Sequence, residues 1–194
     1  AMAGHEIVIG SRLQEKGARA AASMLEKAPG KVISGTDNLS ATQQAELVVL
    51  SVPYQAQERT LDAVKSAMAG KLLVTVVAPT GEKRPVQALA QRFVAAEEAQ
   101  QQLGDITRVV AAFQNIGAHH LLDLEHQLES DVLVCGDKGA DKKVAIQLCQ
   151  DAGLRGVNAG ALQNASVVEG MTSLLIAINV IHKVKSAGIR ITGL

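Results

Sequence analysis

Residues 6–16 read Glu-Ile-Val-Ile-Gly-Ser-Arg-Leu-Gln-Glu-Lys, and this stretch decides the fold class. Its apolar run, residues 7–9, predicts a strand, and Gly10 predicts a turn before a helix begins. The second strand of a dinucleotide-binding sheet ends in this way, and its tip meets the adenosine ribose. At that tip an acidic side chain binds the 2′-OH of NAD, whereas an Arg accommodates the 2′-phosphate of NADP. The tip here is Ser11-Arg12, which favours NADP.

Lys16 follows Arg12 by four residues, so a helix would place both cations on one face. With Ser11 they would converge on a phosphate dianion, to which Arg gives planar bidentate contacts and Lys a point charge. The alternative is that Arg12 and Lys16 are solvated charges at a strand–helix junction.

The composition allows one well-packed core, or a main domain with a smaller partner, because the 194 residues are 47% hydrophobic. The balance of 19 Lys and Arg against 19 Asp and Glu provides no basic surface for nucleic acid or anionic membranes. One Tyr, two Phe and no Trp leave little for stacking on bases. The longest apolar tract, 171–181, is too short to span a bilayer. We therefore expect neither nucleic acid nor a membrane as a partner.

The two cysteines, Cys135 and Cys149, lie in a predicted strand and a predicted helix, without metal or redox spacing. We expect buried, reduced thiols rather than a disulfide. No secretory signal is visible at the start, which predicts a cytoplasmic protein.

The rest of the chain alternates predicted strands and helices joined by short loops, which indicates a parallel sheet with helices on both faces. The further predicted strands cover residues 31–34, 47–52, 72–78, 107–112, 131–136 and 154–158. The predicted helices cover 13–27, 38–45, 57–68, 85–103, 141–152 and 165–187, with a polar helical piece around 119–128. The fold class is therefore α/β: a Rossmann-like doubly wound parallel sheet over residues 1–112, and a second, smaller α/β domain over residues 113–194.

Ligands of doubly wound sheets bind outside the carboxyl ends of the strands. Three predicted strand tips, Val52-Pro53-Tyr54, Ala78-Pro79-Thr80 and Phe113-Gln114-Asn115, are therefore candidates to line a cofactor crevice. Proline at two of these tips would serve equally well as a plain strand stop.

No G-x-G-x-x-G pattern occurs in the sequence, and residues 1–5 resemble the last turn of a helix closed by Gly4. A dinucleotide fold requires a first strand and a glycine-rich turn before the strand that carries Arg12. We therefore expect the sheet to be incomplete at its N-terminal side. Either the sequence is a fragment of a longer polypeptide, or the protein has lost its main grip on the pyrophosphate.

Other polar residues do not form a recognised catalytic set. The adjacent pair His119-His120 would point about 100° apart on a helix, and His126 has no partner at a metal-ligand spacing, so no metal site is expected. Glu169 and Asn179 interrupt the apolar terminal helix, and we expect them to satisfy backbone groups rather than face a substrate. Because that helix is apolar all round, it should be buried under the sheet or against another subunit.

The absence of an acid–base set is itself compatible with a redox reaction. Hydride transfer between two bound cofactors mainly requires that donor and acceptor be held face to face. Backbone and small residues are sufficient for such a site.

The sequence resembles the NADPH-dependent coenzyme F420 reductases, or F420:NADP oxidoreductases, over nearly all of its length. The resemblance implies a Rossmann domain followed by a small α/β domain, usually in a homodimer, with NADP across the strand tips and the deazaflavin between the domains. The segments that carry it are 4–12 with Lys16, 51–54, 109–115, 132–137 with Lys142 and Lys143, and 154–164 followed by Glu169.

Site residues follow from this resemblance at the matching positions. Ser11, Arg12 and Lys16 would hold the 2′-phosphate, and Val52, Pro53, Ala78 and Pro79 would flank the nicotinamide half. The deazaflavin cavity would be lined by residues 113–117, including Asn115, and by the loop with Gly160 and Leu162. The implied activity is reversible hydride transfer between NADP(H) and coenzyme F420. The alternatives are a non-catalytic NADP-binding or sensing module, and an NADPH-dependent reductase of a flavin or another small acceptor.

Overall fold

Strands and helices alternate along the residues that the computed structural model describes, which are 1–80, 94–118, 120–122 and 128–194. The strands are β1 (Ile7–Ser11), β2 (Ile33–Asp37), β3 (Leu47–Leu50), β4 (Leu72–Thr75), β5 (Arg108–Ala111), β6 (Asp131–Gly136) and β7 (Arg155–Asn158). The helices are α1 (Gln14–Lys27), α2 (Asn38–Gln44), α3 (Tyr54–Val64), α4 (Ala95–Leu103), α5 (Gly139–Asp151) and α6 (Ala165–His182), and short 3₁₀ turns cover Lys65–Ala67, His120–Leu122 and Leu162–Asn164.

The strands form two sheets. The first contains β1 and β2, which are parallel and place Ser11 opposite Asp37. The second has the order β3-β4-β5-β6-β7, and its neighbours are parallel except for β5 and β6, which are antiparallel. The predicted parallel α/β architecture is confirmed, with a break between β1 and β3.

The core lies on both faces of the larger sheet because β4 and β6 are buried along their whole length. Side chains alternate between the two faces: Leu73 packs in a cluster with residues of α3, α4 and α6, whereas Val74 packs in a cluster with residues of α5. Strands buried on both faces are typical of a parallel sheet covered by helices.

Most predicted element bounds agree with the structure within a few residues. The main differences are that α3 begins at Tyr54, directly after Pro53, and that α6 ends at His182 rather than near 187. Lys183 adopts a left-handed conformation with φ of 54°, which terminates α6. Residues 85–93 of the predicted helix 85–103, together with His119 and His126, lie outside the described residues.

The terminal helix α6 is buried on one side only, so the expectation of burial is confirmed in part. Val167, Leu174 and Ile181 are 60%, 44% and 68% exposed, whereas Glu169 is completely buried. By length and composition alone, the helical stretch Leu162–His182 would be able to cross a membrane. On its buried side this helix packs against α4 and β6.

Candidate functional site

The predicted 2′-phosphate site lies at the end of β1. Ser11 is the last residue of the strand, and the side chains of Arg12 and Lys16 are exposed. Because α1 begins at Gln14, Arg12 precedes the helix. The expectation that Arg12 and Lys16 lie on one face of a helix is therefore wrong. Lys16 instead belongs to the first turn of α1. Neither cation forms an ion pair within the described part of the chain, so both are available to an anion.

Asp37 lies opposite Ser11 on the neighbouring strand and places a carboxylate close to this tip. Its Oδ1 accepts a hydrogen bond of 2.9 Å from the backbone N–H of Ser40, which caps the N-terminus of α2. Hydrogen bonds from Ser40 lower the pKa of Asp37 below its ordinary value. The carboxylate is thus committed to α2, and the strand tip keeps a hydroxyl with two cations nearby, a set that fits a phosphate.

The tips of β3 and β4 carry the predicted nicotinamide residues. Val52 is half-buried and packs against the core, whereas Pro53 is exposed and is the N-cap of α3. Ala78 and Pro79 are half-buried in the segment that follows β4. Because β3 and β4 are parallel neighbours, these four residues follow strand ends at the same edge of the sheet.

The tip of β5 is strained and contains an unsatisfied acceptor. Phe113 has a φ of 68°, a left-handed conformation that costs a non-glycine residue about 1–2 kcal/mol. Gln114 is buried, and its Nε2 donates to the carbonyl oxygen of Thr75 at 3.1 Å. Its Oε1 has no hydrogen-bond partner among the described residues. A buried carbonyl oxygen of this kind fits a ligand that offers an N–H, such as a deazaflavin ring.

Asn115 is buried next to Gln114 but is engaged with the main chain of β6. Its Nδ2 donates to the carbonyl oxygen of Asp131 at 2.7 Å, and its Oδ1 accepts from the N–H of Leu133 at 3.4 Å. Both ends of its side-chain amide are therefore used to join the β5 tip to the beginning of β6.

Gly160 and Leu162 lie at the other end of β6. The Gly160 carbonyl oxygen accepts from Gly136 N–H and from Nζ of Lys142, and the Leu162 N–H donates to Oδ1 of Asp137 at 2.9 Å. β6 has six residues, so its two ends are about 17 Å apart. The structure does not bring Gly160 and Leu162 to the Asn115 end of β6.

Glu169, which the sequence predicts to bind backbone groups, lies near a second polar contact between Tyr54 and Glu98. Glu169 of α6 accepts hydrogen bonds from the N–H groups of Ala95 and Ala96, at 2.8 and 2.9 Å, and so caps α4. Burial raises the pKa of Glu169 to about 7. Tyr54 donates its hydroxyl to the carboxylate of Glu98 at 2.8 Å, and burial together with that carboxylate raises the pKa of Tyr54 to about 12. Glu169 was recognisable as a polar residue on an apolar helix, but its partners are 73 and 74 residues away.

The expectation that Glu169 and Asn179 satisfy backbone groups is confirmed. Asn179 Oδ1 accepts a hydrogen bond of 2.9 Å from the N–H of Ala187. Cys135 and Cys149 are free and buried, as predicted. Among the described residues, no cluster of three or more His, Cys, Asp and Glu side chains is arranged to hold a metal ion.

Comparisons with known proteins agree with this architecture. A family model described as NADP oxidoreductase, coenzyme F420-dependent, matches residues 1–79. The F420-dependent NADP reductase of Methanothermobacter marburgensis is 39% identical over all of this chain and 90% of its own length. That of Methanocaldococcus jannaschii is 35% identical over 98% of this chain and 89% of its own length.

Solved structures support the fold. The crystal structure of a candidate F420-dependent NADP reductase from Arthrobacter sp. superposes with a TM-score of 0.79 at 20% identity, over 98% of this chain and 90% of its own. An NADP-bound pyrroline carboxylate reductase of Plasmodium falciparum has a TM-score of 0.53 at 12% identity, over 94% of this chain and 68% of its own. At these identities the structures establish a shared fold, whereas the curated relatives establish the family. The chain belongs to the F420-dependent NADP reductases.

Proposed function

We propose that the protein is an NADP-dependent oxidoreductase that transfers a hydride reversibly between NADP(H) and coenzyme F420. The observation that carries this proposal is that Arg12 and Lys16, near Ser11, form no ion pair with any residue that the structure describes, in a chain similar to F420-dependent NADP reductases over its whole length. When bound, the two cofactors supply the hydride chemistry, and the protein holds them face to face.

The described residues divide between the two cofactors. We assign residues 1–112 to NADP, with Ser11, Arg12 and Lys16 on the 2′-phosphate and the tips 52–53 and 78–79 on the nicotinamide half. Residues 113–194 contribute to the deazaflavin cavity and to a subunit interface. The buried Oε1 of Gln114 supports a polar contact with the ring at the β5 tip. Asn115, Gly160 and Leu162 stay predictions, and Gly160 and Leu162 require a cavity that extends along β6.

A homodimer through α6 is supported by an apolar stripe on its exposed side. The stripe consists of residues spaced alternately by four and three, a coiled-coil spacing, and lies opposite the buried side of the helix. Three of its five members are at least 44% exposed. These members are Val167, Met171, Leu174, Ile178 and Ile181, of which Met171 is half-buried and also packs against the core. We further propose that the dimer works in the cytoplasm.

The activity is tested with the protein expressed from its complete reading frame. Mixing it with NADPH and oxidised F420 should remove the visible absorbance of the oxidised deazaflavin. NADH in place of NADPH, and a flavin in place of F420, serve as matched controls. Binding of NADPH without turnover of any acceptor would indicate the sensing module, and turnover with the flavin alone would indicate a flavin reductase. Either result would contradict the proposed reaction.

The dimer is tested by sedimentation. Leu174→Arg places a charge in the apolar stripe and should convert a dimer to a monomer, because a desolvated charge opposes association. Val180→Arg is the control, since Val180 is 70% exposed but faces the opposite side of α6. A wild-type monomer, or equal effects of both substitutions, would contradict the interface.

A further inference from the structure

The first turn of α4 is held by side chains from two other helices. Its own N-cap residue, Val94, makes no side-chain capping bond. Instead, Glu169 of α6 accepts from the N–H groups of Ala95 and Ala96 at 2.8 and 2.9 Å. From the other side, Gln57 of α3 donates its Nε2 to the carbonyl oxygen of Ala95 at 2.8 Å. One turn of α4 therefore joins α6 to α3.

We call the contacts of Glu169 and Gln57 with the first turn of α4 the joint. The start of α3 connects this joint to the β3 tip. Tyr54 is the first residue of α3, and its hydroxyl donates to Glu98 on the first turn of α4. Pro53, which precedes Tyr54, is assigned to the nicotinamide half of NADP. If the first turn of α4 moved, the side chains of Gln57 and Tyr54 would therefore move the start of α3 and the backbone assigned to the nicotinamide.

A second anchor fixes the same part of α6 at the β5 tip. The hydroxyl of Thr172 donates to the carbonyl oxygen of Gln114 at 2.8 Å. Glu169 and Thr172 are three residues apart, so they lie on one face of α6. This face of α6 thus contacts both the start of α4 and the tip of β5.

Burial of Glu169 is costly for a side chain that only fills space. The residue is 0% exposed, and no described cation forms an ion pair with it. Buried carboxylates are rare because desolvation opposes their charge, and an apolar residue would fill the volume at lower cost. What the carboxyl group adds is two directed hydrogen bonds to one helix terminus.

From this geometry we propose that Glu169 is a positioning residue, which fixes the start of α4 against α6 and thereby sets the nicotinamide side of the NADP site. The inference rests on the proposed function, because it assigns Glu169 to that same site. Glu169 acts through Ala95, Gln57 and Tyr54 and needs no contact with the cofactor.

The joint depends on pH in a defined direction. Burial raises the pKa of Glu169 to about 7, although the hydrogen bonds from Ala96 and Ala95 oppose this shift. In the closed joint the Glu169 carboxyl group is buried against Ala95 and Ala96, and in an open joint it would lie in water. The Glu169 carboxyl group therefore binds a proton more tightly in the closed joint than in the open one. It follows that the joint is tightest below the ordinary pKa of 4.5 and loosens as the pH rises towards 7. The charged and titratable groups that interact with Glu169 from α3, α4 and β6 are Tyr54, Glu97, Glu98 and Cys135, and Lys142 of α5 interacts in turn with Cys135.

Amide hydrogen exchange tests the joint without any cofactor. The ratio of the observed to the intrinsic exchange rate gives the opening equilibrium of an amide. For Ala95 and Ala96 of the wild-type protein this ratio should increase on the order of fiftyfold between about pH 5 and about pH 8. Glu169→Gln carries no titratable group there and should show no such increase. Wild-type protection of these two amides that is constant with pH would overturn the pH dependence of the joint.

Calorimetric titration tests the positioning role. Glu169→Gln should weaken NADPH binding about tenfold and lower kcat, because small displacements at a reacting centre have large effects. Binding of 2′,5′-ADP, which carries the 2′-phosphate but no nicotinamide, should be unchanged. Equal weakening of both ligands, or of neither, would overturn the positioning role.

Glu97→Gln is the matched control, since it removes a carboxylate from the same turn of α4 without removing a described hydrogen bond. It should retain both the pH dependence and the NADPH affinity. If Glu169→Gln does not fold, Glu169→Asp replaces it in the calorimetric titrations. The pH dependence is then tested by amide exchange of the wild-type protein alone. Failure of the wild-type protein to reduce F420 is measured separately and would overturn the proposed function, whereas the exchange and binding results are obtained without turnover.

Discussion

Gly17 of α1 and Gly35 of β2 bring their backbones into direct contact, so that a Cβ on Gly35 would overlap the carbonyl oxygen of Gly17. Neither residue has a positive φ, so the requirement for glycine is steric. This contact seats α1, which carries Lys16, on the sheet whose first strand ends at Ser11. The geometry of the proposed 2′-phosphate site therefore depends on glycine at positions 17 and 35.

Gly35→Ala should lower the free energy of unfolding by about 1–3 kcal/mol, because backbone must move to admit the methyl group. Gly139→Ala is the control: a Cβ there meets nothing within 4 Å, and its position in α5 favours alanine. Urea unfolding measures both. A loss that is equal in the two variants would show that the Gly17–Gly35 contact relaxes freely.

Arg155 and Asp131 form a second specific pair, at the beginnings of β7 and β6. The guanidinium donates from Nε to Oδ1 at 2.7 Å and from Nη2 to Oδ2 at 2.5 Å. The N–H of Ile191 also donates to Oδ2, which fastens the C-terminal segment. The hydrogen bonds from Arg155 hold the pKa of Asp131 below its ordinary value, although burial opposes them.

Because that pKa is lowered, the pair stabilises the fold above the ordinary pKa of 3.8, and the contribution is lost as pH falls through the folded pKa. Arg155→Met should therefore move acid unfolding to higher pH, by about one pH unit. Arg190→Met is the control, since its pair with Glu129 is exposed and 4.0 Å long, and since Arg190 lowers the pKa of Asp131 less than Arg155 does. Circular dichroism during acid titration provides the measurement, and an unchanged midpoint for Arg155→Met would contradict the role of the pair.

Local signals were sufficient to predict most of the fold. The runs that became β3 and β4, apolar except for Thr75, depend on neighbours within a few residues. The Ser11-Arg12 tip was identifiable for the same reason. The strand ends were less predictable, since β4 stops at Thr75 although its apolar run continues to Ala78.

Features that depend on distant partners could not be predicted from the sequence. The antiparallel pairing of β6 with β5 is a tertiary choice, and it separates Gly160 from Asn115 although the resemblance assigns both to one cavity. Likewise, the apolar pattern of α6 predicts burial but does not reveal that Glu169 caps α4. Long-range hydrogen bonds leave no periodic trace in a sequence.

The two thiols should be unreactive in the native protein. Burial raises the pKa of Cys135 to about 11 and that of Cys149 to about 12. At about pH 8 a thiol with a pKa near 11 is ionised to on the order of one part in a thousand, and the thiolate is the reactive form. We expect no reaction with Ellman's reagent until the protein is unfolded, when both cysteines react. Rapid labelling of the folded protein would show that one thiol is accessible.

The choice of NADP over NAD should depend on Arg12. Arg12→Asp replaces a charge-assisted contact with a repulsion, so NADPH binding should weaken at least about tenfold while NADH binding changes little. Arg19→Asp makes the same change of charge one turn beyond Lys16, where the guanidinium bonds to the carbonyl oxygen of Glu15. Calorimetric affinities of both variants for NADPH and NADH provide the measurement. If the ratio of the two affinities is the same in Arg12→Asp as in the wild-type protein, the 2′-phosphate is bound elsewhere, and the strand tip Ser11-Arg12 does not determine the cofactor.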